Sequence, residues 1–308
     1  LAWSFPMADR AVILLALQLA GRAVAASPAA LKLPMQPLLT GASIPALGFG
    51  TYTLDGDELK QALLHAIECG YRHIDTAAGY GNEAVVAEAI AESEVAREDF
   101  FITSKLWCTD HGADDTFGAI LSSLAQLNTD YLDLFLVHAP NNLGDSAEEI
   151  VELRKQSWAV MTDLHNAGIL RALGVSNFEP RHIDQLLEWG DVTPAVNQVE
   201  LHAYFGQAAI RKYCHEKDIV VQSFGSVGAD GLLEDPAVQR IAAAHERSAA
   251  QISLRHSLQR GCAVLARSTT PERIKENARI FDFELSVDDM RTLDALESGE
   301  RTYWDNSD

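Results

Sequence analysis

The feature that most constrains the fold is a regular alternation of short β-rich runs with longer helical stretches. Strands that alternate with helices favour a parallel sheet, because each helix carries the chain back to the edge where the next strand begins. Eight such units predict an α/β fold, a single closed (β/α)8 TIM barrel wrapped by helices. The predicted strands are Ala46–Thr51, His73–Thr76, Phe100–Ser104, Tyr131–Val137, Leu170–Val175, Ala195–Val199, Ile219–Gln222 and Ala263–Leu265.

Other segments complete the predicted domain. Residues 38–44 carry a Gly-Ala turn between apolar residues and predict an N-terminal hairpin. A last helix is expected near residues 287–297, followed by a short polar C-terminal tail. No Gly-x-Gly-x-x-Gly motif follows any predicted strand, which disfavours a doubly wound dinucleotide-binding sheet. A chain of 308 residues has room for two average domains, but one barrel accounts for residues 31–308.

The first 30 residues differ from the rest of the chain. Residues 11–20 are almost wholly apolar, yet such a run is only half the length of about 20 residues that spans a bilayer. With the small residues that follow, the run is typical of a signal or targeting segment, or of an Ala/Leu-rich helix outside the fold. Residues 7–26 are therefore a candidate secretory or organellar targeting segment, and the cytoplasm is otherwise the expected location.

The charge balance excludes several classes of partner. The chain has 24 Lys and Arg against 44 Asp and Glu, a net charge of −20. Nucleic acid and anionic membranes demand a basic face, so neither is expected as a partner. The four cysteines lie far apart without Cys-x-x-Cys spacing, so no metal site and no disulfide framework is expected. We expect a monomer that binds a small molecule.

Residues suited to acid–base chemistry follow three neighbouring strands. Asp75, Tyr80, Lys105 and His138 stand at predicted strand ends or in the loop after them, where barrels of this class place their active sites. Each residue alone has an ordinary structural explanation, such as a helix cap, a core aromatic or a solvent-exposed lysine. Together they form an acid–base set, because a buried Lys⁺ stabilises a phenolate and an Asp keeps that lysine charged.

Three longer motifs accompany this set. Residues 70–83 read GYRHIDTAAGYGNE, residues 168–178 read GILRALGVSNF, and residues 265–277 read LARSTTPERIKEN. In order and in register, from about Leu38 to about Glu300, the chain resembles the aldo-keto reductase family. The resemblance implies NADPH-dependent reduction of aldehyde or ketone carbonyls to alcohols. It also implies that Tyr80 donates the proton, that Lys105 and Asp75 tune it, and that His138 orients the substrate.

The resemblance further implies a cofactor site and a substrate site. Phe224 stands where the family usually has a tyrosine stacked on the nicotinamide, and Phe keeps the aromatic face. Arg267 and Arg273 would supply the local positive charge that a 2′-phosphate needs, which favours NADPH over NADH. The implied substrate residues are Tyr52, Trp107 and His138. The implied cofactor-binding residues are Gly50, Thr51, Ser176, Asn177, Gln198, Phe224, Arg267, Ser268, Arg273, Glu276 and Asn277.

Three departures from the family pattern bear on the substrate. Ala139 follows His138 where several members have a tryptophan, and both residues 225–233 and the tail after Glu297 are short. A wide, partly open pocket is therefore expected. Because a fold alone does not establish activity, a cofactor-binding regulatory subunit with little turnover and a purely structural protein remain alternative interpretations.

Overall fold

The structure is a computed structural model that describes residues 33–141, 144 and 146–303. The leader predicted at residues 1–30 lies outside the described residues. The described chain opens with an antiparallel hairpin of β1 (Met35–Pro37) and β2 (Ser43–Pro45). Gly41 in its turn has a φ of 82°, a left-handed conformation that glycine adopts without steric cost. The predicted N-terminal hairpin is confirmed.

The rest of the sheet is a closed barrel. Eight parallel strands pair with their neighbours in chain order, and the last strand closes on the first. The predicted (β/α)8 barrel is thus confirmed. Its strands are β3 (Leu47–Gly50), β4 (His73–Asp75), β5 (Phe101–Leu106), β6 (Leu134–Val137), β7 (Leu173–Ser176), β8 (Val196–Glu200), β9 (Val220–Phe224) and β10 (Ala263–Ala266).

Helices surround the barrel and cover its outer face. Because inner and outer faces are both covered, strands such as β6 are buried at every position and contain continuous apolar runs. The helices are α1 (Gly56–Glu68), α2 (Glu83–Glu92), α3 (Ala113–Gln126), α4 (Ala147–Asn166), α5 (Pro180–Trp189), α6 (Ala208–Glu216), α7 (Pro236–His245), α8 (Ala249–Gln259), α9 (Pro271–Asn277) and α10 (Val287–Asp294). None of those described is long and apolar enough to cross a membrane.

Two strands begin three residues later than the sequence pattern predicts. β6 begins at Leu134 rather than Tyr131, since Leu132 forms only an isolated bridge to Leu170. Asp133 directly precedes β6. Its carboxylate accepts from Arg97 at 2.8 Å and from the backbone N–H of Ile102 at 3.0 Å. β7 begins at Leu173, since Leu170 forms only an isolated bridge. The hydrogen bonds of Asp133 lie at the amino-terminal ends of the strands, opposite the carboxyl ends that carry the candidate site.

Acid should weaken the fold, because several histidines are buried in the neutral form. Burial is the main cause that lowers the pKa of His73, His111 and His256 to about 4. Unfolding restores an ordinary pKa near 6.5. Between about pH 6.5 and pH 4 the unfolded chain therefore binds protons that the folded chain does not, and the free energy of unfolding falls as the pH falls.

Replacing His256 by glutamine should remove about 1–2 kcal/mol of the stability lost between pH 7.5 and pH 5. Its Nε2 lies 2.9 Å from Oδ1 of Asp294, a contact that an amide N–H can retain. Asp294 also pairs with Arg260, so its carboxylate does not hold a proton on the imidazole. Urea unfolding of both proteins at the two pH values measures the difference. An identical loss in the variant would contradict the neutral state of His256.

Candidate active site

The acid–base set predicted from the sequence converges at the carboxyl ends of the strands. Nζ of Lys105, at the end of β5, lies 2.6 Å from Oδ1 of Asp75 at the end of β4 and 3.2 Å from the hydroxyl of Tyr80. Tyr80 ends a short 3-10 turn, Ala78–Tyr80, that directly follows β4. His138 follows β6, and its ring meets that of Tyr80 edge to face with 5.6 Å between centroids.

The hydrogen bonds of Lys105 fix the direction of the proton on Tyr80. Its ammonium has three N–H groups, and they go to Asp75, to the backbone carbonyl of Thr76 at 2.8 Å and to the Tyr80 oxygen. Because the Tyr80 oxygen accepts from Lys105, its own O–H is available to donate elsewhere. Tyr80 lines the adjoining cleft, so that proton can reach a bound molecule.

The charges around Tyr80 suit a proton donor. Burial raises the pKa of Tyr80, and the positive charge of Lys105 offsets only part of that rise. The phenol therefore stays protonated, and the cation lies where a phenolate would form. Burial lowers the pKa of Lys105, but Asp75 and Tyr80 outweigh burial and raise it overall. The lysine therefore stays charged.

His138 is neutral at physiological pH. Burial, followed by the charge of Lys105, holds its pKa well below its usual value. A neutral imidazole can donate one hydrogen bond and accept another without adding a charge beside Lys105. Trp107 packs against its ring at 5.0 Å between centroids and restricts its orientation.

Asn82 holds the backbone around the acid–base set through its side-chain hydrogen bonds. This role was not predicted from the sequence. Its side chain is fully buried and donates to the carbonyls of Thr51 at 3.0 Å and Leu54 at 2.8 Å. Its oxygen accepts from the hydroxyl of Thr76, whose carbonyl accepts from Lys105. The only signal for this role is its place beside Tyr80, since asparagine at a helix start ordinarily indicates a cap.

A cleft of about 700 Å³ runs across this face of the barrel. Tyr80 and His138 line one end, and Arg273 on α9 lines the other. Most residues implied by the family resemblance line this one cleft. They are Gly50, Tyr52, Asp75, Tyr80, His138, Ser176, Asn177, Gln198, Phe224, Arg267, Ser268, Arg273, Glu276 and Asn277.

Three of the implied residues do not line the cleft. Lys105 is fully buried behind Asp75 and Tyr80, which suits a residue that acts through its neighbours. Thr51 is fully buried, and its hydroxyl faces Asn82 rather than the cleft. Trp107 reaches the site through its ring contact with His138.

The end of the cleft beside Tyr80 presents hydrogen-bond acceptors. Both N–H groups of the Gln198 side chain are committed, to Asp75 at 2.7 Å and to Gln222 at 2.7 Å. Both N–H groups of Asn177 are likewise committed, to the carbonyl of His138 and to the hydroxyl of Ser176. The side-chain oxygens of Gln198 and Asn177 are therefore the groups left to bind an amide, and a carboxamide such as that of nicotinamide fits them.

The other end of the cleft carries the positive charge. The guanidinium of Arg273 is exposed and makes no hydrogen bond or ion pair with the described residues. Arg267 differs, because it donates across the cleft to the backbone carbonyl of Tyr52 at 3.1 Å and to the hydroxyl of Thr53. The amide-binding part of the cleft and its cationic part together fit a nicotinamide dinucleotide, which carries a carboxamide and phosphates.

Some cleft residues were missed by reasoning from the sequence. Tyr303 enters the cleft from the C-terminal tail, and Ser248 and Ala249 reach it from the start of α8. The local sequence around Tyr303 does not predict a cleft residue, because a polar C-terminal segment is typical of an exposed tail. Among the described residues, no group of three or more His, Cys, Asp or Glu side chains is arranged to hold a metal ion.

Comparisons with known proteins agree with this geometry. Residues 46–298 match the model of the aldo/keto reductase family. An aldo-keto reductase of Mycolicibacterium vanbaalenii is 43% identical over 84% of this chain and 90% of its own length. The glyoxal reductase of Bacillus subtilis is 41% identical over 86% of this chain and 93% of its own. The crystal structure of an aldo/keto reductase from Brucella melitensis, 40% identical, superimposes with a TM-score of 0.81 over 86% of this chain and all of that one.

Proposed function

Because the chain belongs to the aldo/keto reductase family, we propose that it reduces aldehyde or ketone carbonyls to alcohols with NADPH and with Tyr80 as the proton donor. The observation that carries this proposal is the hydrogen bond from Lys105 to the Tyr80 oxygen at the wall of the cleft. It leaves the phenolic proton directed toward a bound molecule and places a cation beside the phenolate that results.

The dinucleotide is held from both ends. When bound, NADPH supplies the hydride that reduces the carbonyl carbon. The side-chain oxygens of Asn177 and Gln198 would accept from its carboxamide, and the Phe224 ring would pack against the nicotinamide. Arg273 would bind the 2′-phosphate, with Ser268, Glu276 and Asn277 around the adenosine.

The substrate oxygen is held by two groups. Tyr80 would donate its proton to that oxygen, so that the alcohol forms without a free alkoxide. Lys105 remains charged through Asp75 and Thr76 and stabilises the phenolate until solvent returns the proton. Neutral His138 orients the carbonyl by donating a hydrogen bond, and Tyr52 and Trp107 limit the space beside it.

A substrate panel tests the proposal. Purified protein with NADPH is offered glyoxal, other small aldehydes, aromatic aldehydes, ketones and sugars, and the loss of NADPH absorbance is followed. We begin with glyoxal because a relative is named a glyoxal reductase. Turnover of at least one aldehyde class, absent without protein, is the expected result.

The panel also separates the proposed reductase from a regulatory subunit. A cofactor-binding subunit would bind NADPH tightly, as seen by quenching of protein fluorescence, and would turn over none of the carbonyls. The intact contacts among Asp75, Tyr80 and Lys105 favour the reductase, since binding alone has no use for an acid–base set.

A further inference from the structure

The C-terminal tail is tied to the barrel along its whole described length. We call residues 297–303 the strap. The Glu297 carboxylate accepts from the backbone N–H of Gly206 at 2.5 Å, and the N–H groups of Ser298 and Gly299 donate to the carbonyl of Tyr204 at 3.0 and 3.1 Å. These contacts fasten the strap to the loop that follows β8. Residues 297–303 of the short polar tail expected from the sequence are thus fastened to the barrel.

A buried carboxylate fixes the end of the strap. Glu200, the last residue of β8, is only 3% exposed. It accepts from the backbone N–H of Thr302 at 2.6 Å and of Tyr303 at 3.2 Å, and Nε2 of His202 lies 2.9 Å from it. Burial alone would raise the pKa of Glu200, but these hydrogen bonds lower it below its usual value. Glu200 is therefore an anion that the strap itself helps to satisfy.

The strap ends with an aromatic ring in the cleft. The ring of Tyr303 meets that of Phe224 edge to face, with 5.6 Å between centroids and an angle of 73°. It also lies against Gly225, where a Cβ atom would come within 2.7 Å of the Tyr303 ring. Gly225 has a φ of 70°, so that position requires glycine for its backbone and for the space that the ring occupies.

Tyr303 contacts a part of the cleft that the proposed function assigns to the nicotinamide and is near a part that it assigns to the adenosine. Its ring packs against Phe224, and it lines the cleft together with Arg267, whose charge offsets part of the rise that burial causes in the pKa of Tyr303. A dinucleotide that joins these parts passes the ring between its two nucleosides. The loop after β9 lines the cleft as well, and it lies against the Tyr303 ring at Gly225 and against the Tyr303 hydroxyl at Gly228, so the loop and the strap form one wall.

We propose that Tyr303 is a cofactor-binding residue that covers the stretch of the dinucleotide between nicotinamide and adenosine, and that Glu200 holds it in place through the strap. This inference rests on the proposed function, because it requires a nicotinamide dinucleotide in the cleft. The covered stretch is common to NADPH and NADH. The strap therefore sets how fast either cofactor leaves, whereas Arg273 sets which one is preferred.

The release rate of the cofactor tests the inference. Stopped-flow fluorescence of preformed complexes gives the dissociation rate constants of NADPH and NADH. Tyr303→Ala should raise both dissociation rate constants by about 5–10-fold, because the complex loses the binding energy of one aromatic contact. Tyr303→Phe retains the ring and should restore most of the slow release. Glu200→Gln should also speed release, because an amide offers one acceptor where the two strap N–H groups need two.

Two truncations complete the test without relying on a buried substitution. A chain ending at Glu300 lacks both the ring and its anchor and should release cofactor as fast as Tyr303→Ala. A chain ending at Tyr303 retains both and should match the full chain. Unchanged release in Tyr303→Ala, with a raised KM for aldehyde only, would overturn the inference and assign Tyr303 to the substrate. Failure of the unaltered protein to bind either dinucleotide would instead overturn the proposed function.

Discussion

Tyr80→Phe should lower the rate of carbonyl reduction by about 10²–10⁴-fold, the usual contribution of a general acid. The phenylalanine ring fills the same space and keeps the contacts with Tyr52 and His138, so only the proton donor is lost. In the proposed reaction the hydroxyl acts on the substrate oxygen and not on the dinucleotide, so the dissociation constant of NADPH should stay within about twofold. Steady-state rates at saturating NADPH measure the first effect, and fluorescence titration measures the second.

Two results would separate a chemical role from a structural one. Loss of turnover together with loss of NADPH binding would indicate a damaged cleft. Turnover near that of the unaltered protein would remove Tyr80 from the mechanism. Tyr52→Phe serves as a matched control, because Tyr52 lines the same cleft and packs against Tyr80 but makes no hydrogen bond to Lys105.

Arg273→Ala should weaken NADPH binding by about 1.5–3 kcal/mol, or about 10–150-fold, and leave NADH binding almost unchanged. The exposed guanidinium of Arg273 has no partner among the described residues. All its N–H groups are therefore available to bind the 2′-phosphate that only NADPH carries. The net charge of −20 repels the cofactor elsewhere, so the preference depends on this local cation. Titration of both cofactors into both proteins measures the change.

Arg267→Ala is the informative comparison. Because Arg267 already donates to Tyr52 and Thr53 across the cleft, its removal should weaken NADPH binding less selectively than the loss of Arg273. The selectivity due to Arg273 should also shrink as salt is raised, since ions screen exposed charges over about 8 Å at physiological strength. Equal losses of NADH and NADPH in Arg273→Ala would assign that arginine to the fold.

The barrel and most of the cleft could be predicted from the sequence, because their signals are local. A strand of a parallel barrel is a short apolar run, and residues at or near its carboxyl end enter the site whatever the rest of the chain does. Asp75, Lys105 and Gln198 therefore converge as the strand pattern requires, and hydrogen bonds of 2.6–2.7 Å link them in the structure.

Other features depend on contacts that no local pattern encodes. Tyr303 reaches the cleft only because Glu200, about a hundred residues earlier, accepts from the strap backbone. The cross-cleft hydrogen bonds of Arg267 likewise join the end of β10 to the loop after β3. The pKa of Tyr80 depends on how burial balances the charge of Lys105, and burial is known only once the barrel has closed.

The most direct test of the proposed reaction is transfer of a label in a single turnover. NADPH carrying deuterium on the transferable position at C4 of its nicotinamide is mixed with excess protein and with the best aldehyde of the panel, and the alcohol is examined by mass spectrometry. Reduction within the cleft places the deuterium on the former carbonyl carbon, at a rate that falls by about 10²–10⁴-fold in Tyr80→Phe. An alcohol without deuterium, or one labelled equally fast by Tyr80→Phe, would contradict hydride transfer assisted by Tyr80.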